Sequence, residues 1–383
     1  MSGVRQRLRR RFVTGVILVV VVALTSCTSV KAPPSAQPST NGTATPRLRV
    51  DGERVVLPDG KPIVLRGFNF GWWGEATESD ADEVRSMGAT VVRLPIRWYF
   101  EGDKSDQYDP NSPGNIKPEG LATLDKTIGW LTSRGIWVIL FMGADKGAGS
   151  DEHNFWTDKK LRQQFLDTWQ FLAERYRSTP YVAAYELLSE PHPKKPYTAV
   201  DLRALYDEAI ARVRTVDAST PLIVGANDHY DIGLLDEAYT DTDHNIVYTA
   251  NFYLPTEYIK PEKLSPGEKP VAYGQDIRHN GTTTTFDAAF LESLLAPAKA
   301  FRAKRHVPVF INQVGAQSSL PGALAYTHDV LDVLTRNNIG FAWWTFRTRS
   351  PATDYGVYWR DDRGVYHRKD DLAEVLRRSF AQT

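Results

Sequence analysis

From residue 47 onward, short apolar runs alternate with longer stretches in which apolar residues recur every three or four positions. The runs IVLRGFNF (63–70), TVVRLPI (90–96), IWVILFM (136–142), YVAAYELL (181–188), PLIVGA (221–226), NIVYTANF (245–252), VPVFINQ (307–313) and GFAWWTF (340–346) predict strands. Helical spacing fills 78–87, 119–133, 158–177, 199–215, 286–304 and 320–337. Gly88, Gly135 and the Asn337-Asn338 pair fall where helices should stop. Strands alternating with helices imply a parallel sheet. Near-continuous apolar runs indicate strands covered on both faces. Eight such units close most simply as an α/β (β/α)8 TIM barrel. A doubly wound open sheet is the other arrangement, but no Gly-rich phosphate loop follows any strand. An N-terminal β-hairpin precedes the barrel: LRV, a turn at Asp51-Gly52, then ERVVL, with a second turn at Asp59-Gly60. No internal repeat of repeat-protein length is visible.

The segment ahead of residue 47 is different in kind. Arg5, Arg7, Arg9, Arg10 and Arg11 form a basic start, residues 12–24 are an apolar run, and Leu24-Thr25-Ser26-Cys27 follows. That run is too short to span a bilayer comfortably. The tetrapeptide resembles a bacterial lipobox, whose cysteine is lipidated and becomes the new N-terminus. Residues 1–26 are therefore expected to be a lipoprotein signal peptide. Cys27 is the expected lipidation site, and 27–46, rich in Ser, Thr, Pro and Ala, a flexible tether. Residues 47–383 are the folded domain. The expected location is the extracytoplasmic side of a cell membrane, anchored through the lipid on Cys27.

Composition narrows the function. Hydrophobic residues at 42% and charged residues at 24% fit a globular chain. The formal net charge is zero, and the basic N-terminal segment accounts for that balance; the rest is slightly acidic. No basic stripe remains, so nucleic acid is not an expected partner. A single cysteine excludes an intrachain disulfide and a cysteine-based metal site. The histidines His153, His192, His229 and His244 lack ligand spacing; Asp228-His229 is the only pair of interest, and neither a metal nor a cofactor is expected.

In such barrels the chemistry sits at the C-terminal strand ends. Those ends carry Asn69, Trp72, Trp73 and Glu75; Trp98, Tyr99 and Glu101; Gly143 and Asp145; Ser189, Glu190 and His192; Asp228; Asn251 and Tyr253; Gln313; and Trp344. Flat indole faces stack on sugar C–H faces. Trp72, Trp73, Trp98 and Trp344 are thus candidates for a groove, whereas Trp130 and Trp169 lie in helical patterns and are expected in the core.

LRGFNFGWW, VVRLPIRW, YELLSEPH, NIVYTANFYLP, PVFINQVG and FAWWTF, taken in order, resemble the strand motifs of glycoside hydrolase family 5 over about residues 47–350. The resemblance implies retaining hydrolysis by two carboxylates about 5–5.5 Å apart. It places the acid/base at Glu190 and the nucleophile at Gln313, where the family has a carboxylate. It assigns substrate contacts to Arg93, Ser189 (an Asn in the family), Asn251 (a His), Tyr253 and Trp344, and Gly143 stands where the family has a His. Arg93 could instead pair with Glu190 or Glu186, and Glu186 is expected to be structural. The implied partner is a polysaccharide or oligosaccharide, and a monomer is expected.

Three readings follow. The barrel could be a glycan-binding pseudoenzyme, with Gln313 unable to attack. It could be an active hydrolase in which Glu190 remains the acid and Glu75, Glu101, Asp145 or Asp228 activates water. It could be a non-catalytic envelope interaction protein. Insertions at 100–117, 143–157 and 254–285 are expected to set the specificity.

Overall fold

The computed structural model describes residues 47–71, 76–97, 107–143, 156–193, 195–260, 264, 269, 271–349 and 351–382. The expected signal peptide, Cys27 and the tether lie outside the described residues, as do Trp72, Trp73, Glu75, Trp98, Tyr99, Glu101, Asp145 and His153.

Eight parallel strands close a barrel: Arg66–Asn69, Val91–Arg97, Trp137–Gly143, Val182–Glu186, Leu222–Gly225, Ile246–Phe252, Val309–Val314 and Gly340–Trp343. Each falls on a predicted apolar run, with bounds that agree to within three residues. Consecutive strands pair, and the eighth closes on the first. Gly67 lets the first strand lie close against the second, because a Cβ there would lie 1.8 Å from the Val91 carbonyl oxygen.

The helices form for local reasons. Lys159–Tyr176 starts at Asp158, whose carboxylate accepts from the amides of Lys160 and Leu161, and it buries Leu161, Phe165, Trp169 and Leu172. Ala199–Arg214 starts at a Thr198/Asp201 capping box. One expectation needs correction. The stretch 286–304 is two helices, Ala288–Leu294 and Ala296–Arg305, divided where Pro297 opens the second. The insertion 254–285 holds a hairpin, Asp276–His279 with Thr282–Thr285. A C-terminal helix, Asp370–Ala381, was not predicted; it buries Leu372, Ala373, Leu376 and Phe380, and the Phe380 ring meets Phe68 edge-on at 5.1 Å.

The barrel interior changes character along its axis, and this positions the site. At the N-terminal end, Val91, Ile139, Ala184, Ile223, Val247, Phe310 and Ala342 form an apolar cluster, closed from below by Leu48 and the hairpin residues Val50 and Val55. Inward side chains recur every second residue along a strand. The next inward layer is therefore Arg93, Phe141, Glu186, Thr249 and Asn312, all fully buried or nearly so. Polar groups thus begin one layer beneath the mouth.

Candidate active site

The buried layer is built around one ion pair. Arg93 Nε and Nη2 reach Glu186 Oε2 and Oε1 at 2.6 and 2.5 Å, with both side chains fully buried. Arg93 Nη1 donates to Asn69 Oδ1 at 2.8 Å, and Nη2 also donates to Ser189 Oγ at 2.9 Å. The guanidinium lies over the Phe141 ring, 3.5 Å from its centroid. Glu186 Oε1 accepts further bonds from Tyr230 Oη and Asn312 Nδ2, both at 3.1 Å. A buried pair tolerates its desolvation only with such additional hydrogen bonds. Of the two partners the sequence left open for Arg93, the structure has Glu186. Arg93 is wholly buried and reaches Ser189 at the end of the fourth strand.

Above this layer lies an open groove of about 660 Å³, lined by Glu190, Asp228, His229, Asn251, Tyr253, Gln313, Trp344 and Tyr355. Glu190 follows the fourth strand in a left-handed conformation, φ 49°. Its Oε1 accepts from Asn251 Nδ2 at 2.6 Å and from Gln313 Nε2 at 2.7 Å. Gln313 Oε1 in turn accepts from Tyr253 Oη at 3.0 Å. Burial, followed by the charge of Glu190, holds the Tyr253 phenol well above its ordinary pKa, so it remains a neutral donor. Asn251 Nδ2 also donates to the His229 carbonyl at 2.9 Å. Those bonds fix its amide, and its buried Oδ1 finds no donor among the described residues.

Glu190, Gln313, Asn251, Tyr253 and Trp344 thus share one groove, with Ser189 beneath them. Trp72 and Trp98 lie outside the described residues. Trp169 is core, its indole N–H donating to the Leu187 carbonyl at 2.8 Å; Trp130 is only partly buried on its helix. Trp343 is core as well, bonded to the Tyr355 carbonyl.

Sequence reasoning missed three residues. Asn312 and Gln313 are adjacent, yet each reaches a carboxylate of the barrel interior or mouth. A register shift between Ile311 and Gln313 breaks the two-residue alternation there. Tyr230 is held by Gly225, where a Cβ would lie 2.4 Å from its ring. Tyr355 sits edge-on to Tyr253 at 6.0 Å. His192 also joins the noted Asp228-His229 pair: its Nδ1 is 3.2 Å from Asp228 Oδ1.

Residues 56–350 match the family model described as cellulase (glycosyl hydrolase family 5). The chain belongs to glycosyl hydrolase family 5. It is 24% identical over 329 residues to endoglucanase C of Acetivibrio thermocellus, covering 79% of this chain and 91% of that protein. It is 25% identical over 274 residues to mannan endo-1,4-beta-mannosidase 2 of Oryza sativa, covering 62% and 55% respectively. Among solved structures, Cel5A of Thermotoga maritima in complex with mannotriose superposes with a TM-score of 0.65 at 22% identity, over 82% of this chain and 97% of that one. The same endoglucanase has also been solved with cellobiose. These likenesses agree with the observed barrel. The family 5 domain is accordingly a carbohydrate-active barrel with a small N-terminal antiparallel sheet. Glu190 lines its groove and accepts hydrogen bonds from the amides of Asn251 and Gln313.

Proposed function

We propose that this chain is an envelope lipoprotein whose family 5 barrel holds a β-linked polysaccharide or oligosaccharide in the groove beside Glu190, without hydrolysing it by the retaining route. The observation that carries the reading is the 2.7 Å hydrogen bond from Gln313 to Glu190. Double displacement needs a second carboxylate facing the acid/base, and an amide beside Glu190 supports a reading without one. An amide neither forms the glycosyl ester nor offsets positive charge at the anomeric carbon. The half-buried Trp344 lines the same groove and is suited to a sugar face. The endoglucanase and mannosidase relatives favour glucan- or mannan-type chains. The lone cysteine after a basic and apolar leader favours anchoring through Cys27. Titration calorimetry with glucan and mannan oligosaccharides tests the reading. Binding that weakens about tenfold in Trp344→Ala is expected, since an aromatic face contributes on the order of 1 kcal/mol. No binding across the panel would defeat it.

A second reading is favoured by Asp228, which lines the same groove. With Glu190 as acid and Asp228 activating water, the reaction would invert configuration, which requires a carboxyl separation of about 6.5–9.5 Å. Cleavage by the unmodified protein, with inverted product and loss in both Glu190→Gln and Asp228→Asn, would select this reading.

A further inference from the structure

Beside Glu190, two loops bring together residues that are 36 or more positions apart in sequence. His192 follows the fourth strand, and Asp228 and His229 follow the fifth. One ligand atom of each lies within 4.8 Å of the others. His192 Nδ1 is 3.2 Å from Asp228 Oδ1, and the two imidazole rings face each other at 4.4 Å and 15°.

The backbone there is pinned. The His229 amide donates to the Pro191 carbonyl at 3.3 Å, joining the two loops, and Asn251 Nδ2 holds the His229 carbonyl. Asp228, His229 and Tyr230 have successive φ values of 52°, 60° and 63°. Left-handed backbone at a non-glycine residue costs on the order of 1–3 kcal/mol and persists only where its surroundings over-determine it. Here the fully buried Tyr230 supplies that constraint, its hydroxyl donating to Leu188 O and Glu186. The turn therefore fixes the backbone of Asp228 and His229 beside the groove, with both residues exposed to solvent.

We propose that His192, Asp228 and His229 bind one divalent transition-metal ion of the zinc class in the wall of the groove. Two imidazoles and a carboxylate suit zinc and its late first-row neighbours, not calcium or magnesium, which favour oxygen ligands throughout. Bonds of about 2.1 Å in a tetrahedron put neighbouring ligand atoms about 3.4 Å apart. The His192–Asp228 separation already matches, and His229 would have to turn out of its stack with His192 for a ring nitrogen to complete the set. Three protein ligands leave a fourth position open, and Asp228 and His229 line the groove that holds Glu190. A water or a sugar hydroxyl would fill it. The ion site is independent of whether the groove binds glycan or cleaves it.

The full chain, purified without a histidine tag and stripped with a chelator, is dialysed against zinc alone. The expected result is one zinc per chain with saturation. His192→Gln and His229→Asn should each weaken binding at least about tenfold, consistent with loss of a coordinating ligand. Cobalt in the unmodified protein should give the intense visible bands of a four-coordinate N/O site, a readout that does not depend on any variant folding. Absence of stoichiometric zinc, a six-coordinate cobalt spectrum, or full zinc retention in a folded His192→Gln/His229→Asn double variant would overturn the proposal. Glycan titrations of the zinc-free protein separate this outcome from that of the groove itself.

Discussion

Gln313 Nε2 donates to Glu190 Oε1 across 2.7 Å at the mouth of the barrel. Two ionised carboxylates could not sit so close; one would keep a proton, with its pKa driven upward by the other. With an amide at 313 that coupling is absent. Glu190 is paired with neutral donors on both sides, from Asn251 and Gln313.

The Arg93–Glu186 pair should be the most sensitive polar feature of the fold. Arg93→Leu leaves the Glu186 charge buried with only Tyr230 and Asn312 as partners. The expected loss in urea unfolding is about 3–5 kcal/mol. Replacing both residues by leucine should cost less than the sum of the single changes, because neither charge is then stranded. Additive losses would contradict the pairing.

Tyr253→Phe removes the donor to Gln313 Oε1. A buried acceptor left unpaired costs about 1–3 kcal/mol. The variant should unfold at lower denaturant concentration with an unchanged slope, and it should bind glycan more weakly because Gln313 is free to turn. Unfolding identical to the unmodified protein would show that the bond carries nothing.

Lys369 predicts a pH effect. It donates to Ser318 Oγ at 2.7 Å and to the Asp354 carbonyl, and burial depresses its pKa to about 8. Unfolded lysine titrates near 10.4. Between those values the unfolded chain holds a proton that the folded chain has released, so this group makes stability rise with pH from about 8 to about 10.4. Below about 8 its contribution is flat and unfavourable. Melting temperatures across pH 7–10 should show a steeper rise for the unmodified protein than for Lys369→Met; parallel curves would contradict the shift.

Much of this was legible in the sequence, for definable reasons. All eight barrel strands are buried on both faces, and each announces itself as an apolar run. The helix boundary at Leu295 was missed although Pro297 marks it, because the apolar spacing continues across the break. The hairpin at 276–285 carries an Asn280-Gly281 turn, and the C-terminal helix has a clear amphipathic spacing, so both signals were present. The site was less legible. Glu190, Gln313, Asn251 and Tyr253 stand at strand ends and could be listed, but the shift at Ile311 that turns both Asn312 and Gln313 toward carboxylates has no sequence signature. Nor does the meeting of His192 with Asp228 and His229, which depends on two loops tied through backbone atoms.

The anchoring proposal has its own check. Cys27→Ser should move the exported protein from the membrane fraction to a soluble one and abolish incorporation of labelled palmitate. Continued membrane association without label would point to retention of the apolar leader instead.

The central claim is tested most directly by Gln313→Glu, assayed beside the unmodified protein on aryl β-glucosides, β-mannosides and their oligosaccharides, with a 2-fluoro glycoside as a trap. The account predicts an increase in cleavage of at least ~1,000-fold, since nucleophile and acid act as one unit. It also predicts a glycosyl ester on residue 313 of the variant alone. Retaining cleavage and covalent labelling of the unmodified protein, at a carboxylate elsewhere, would contradict it.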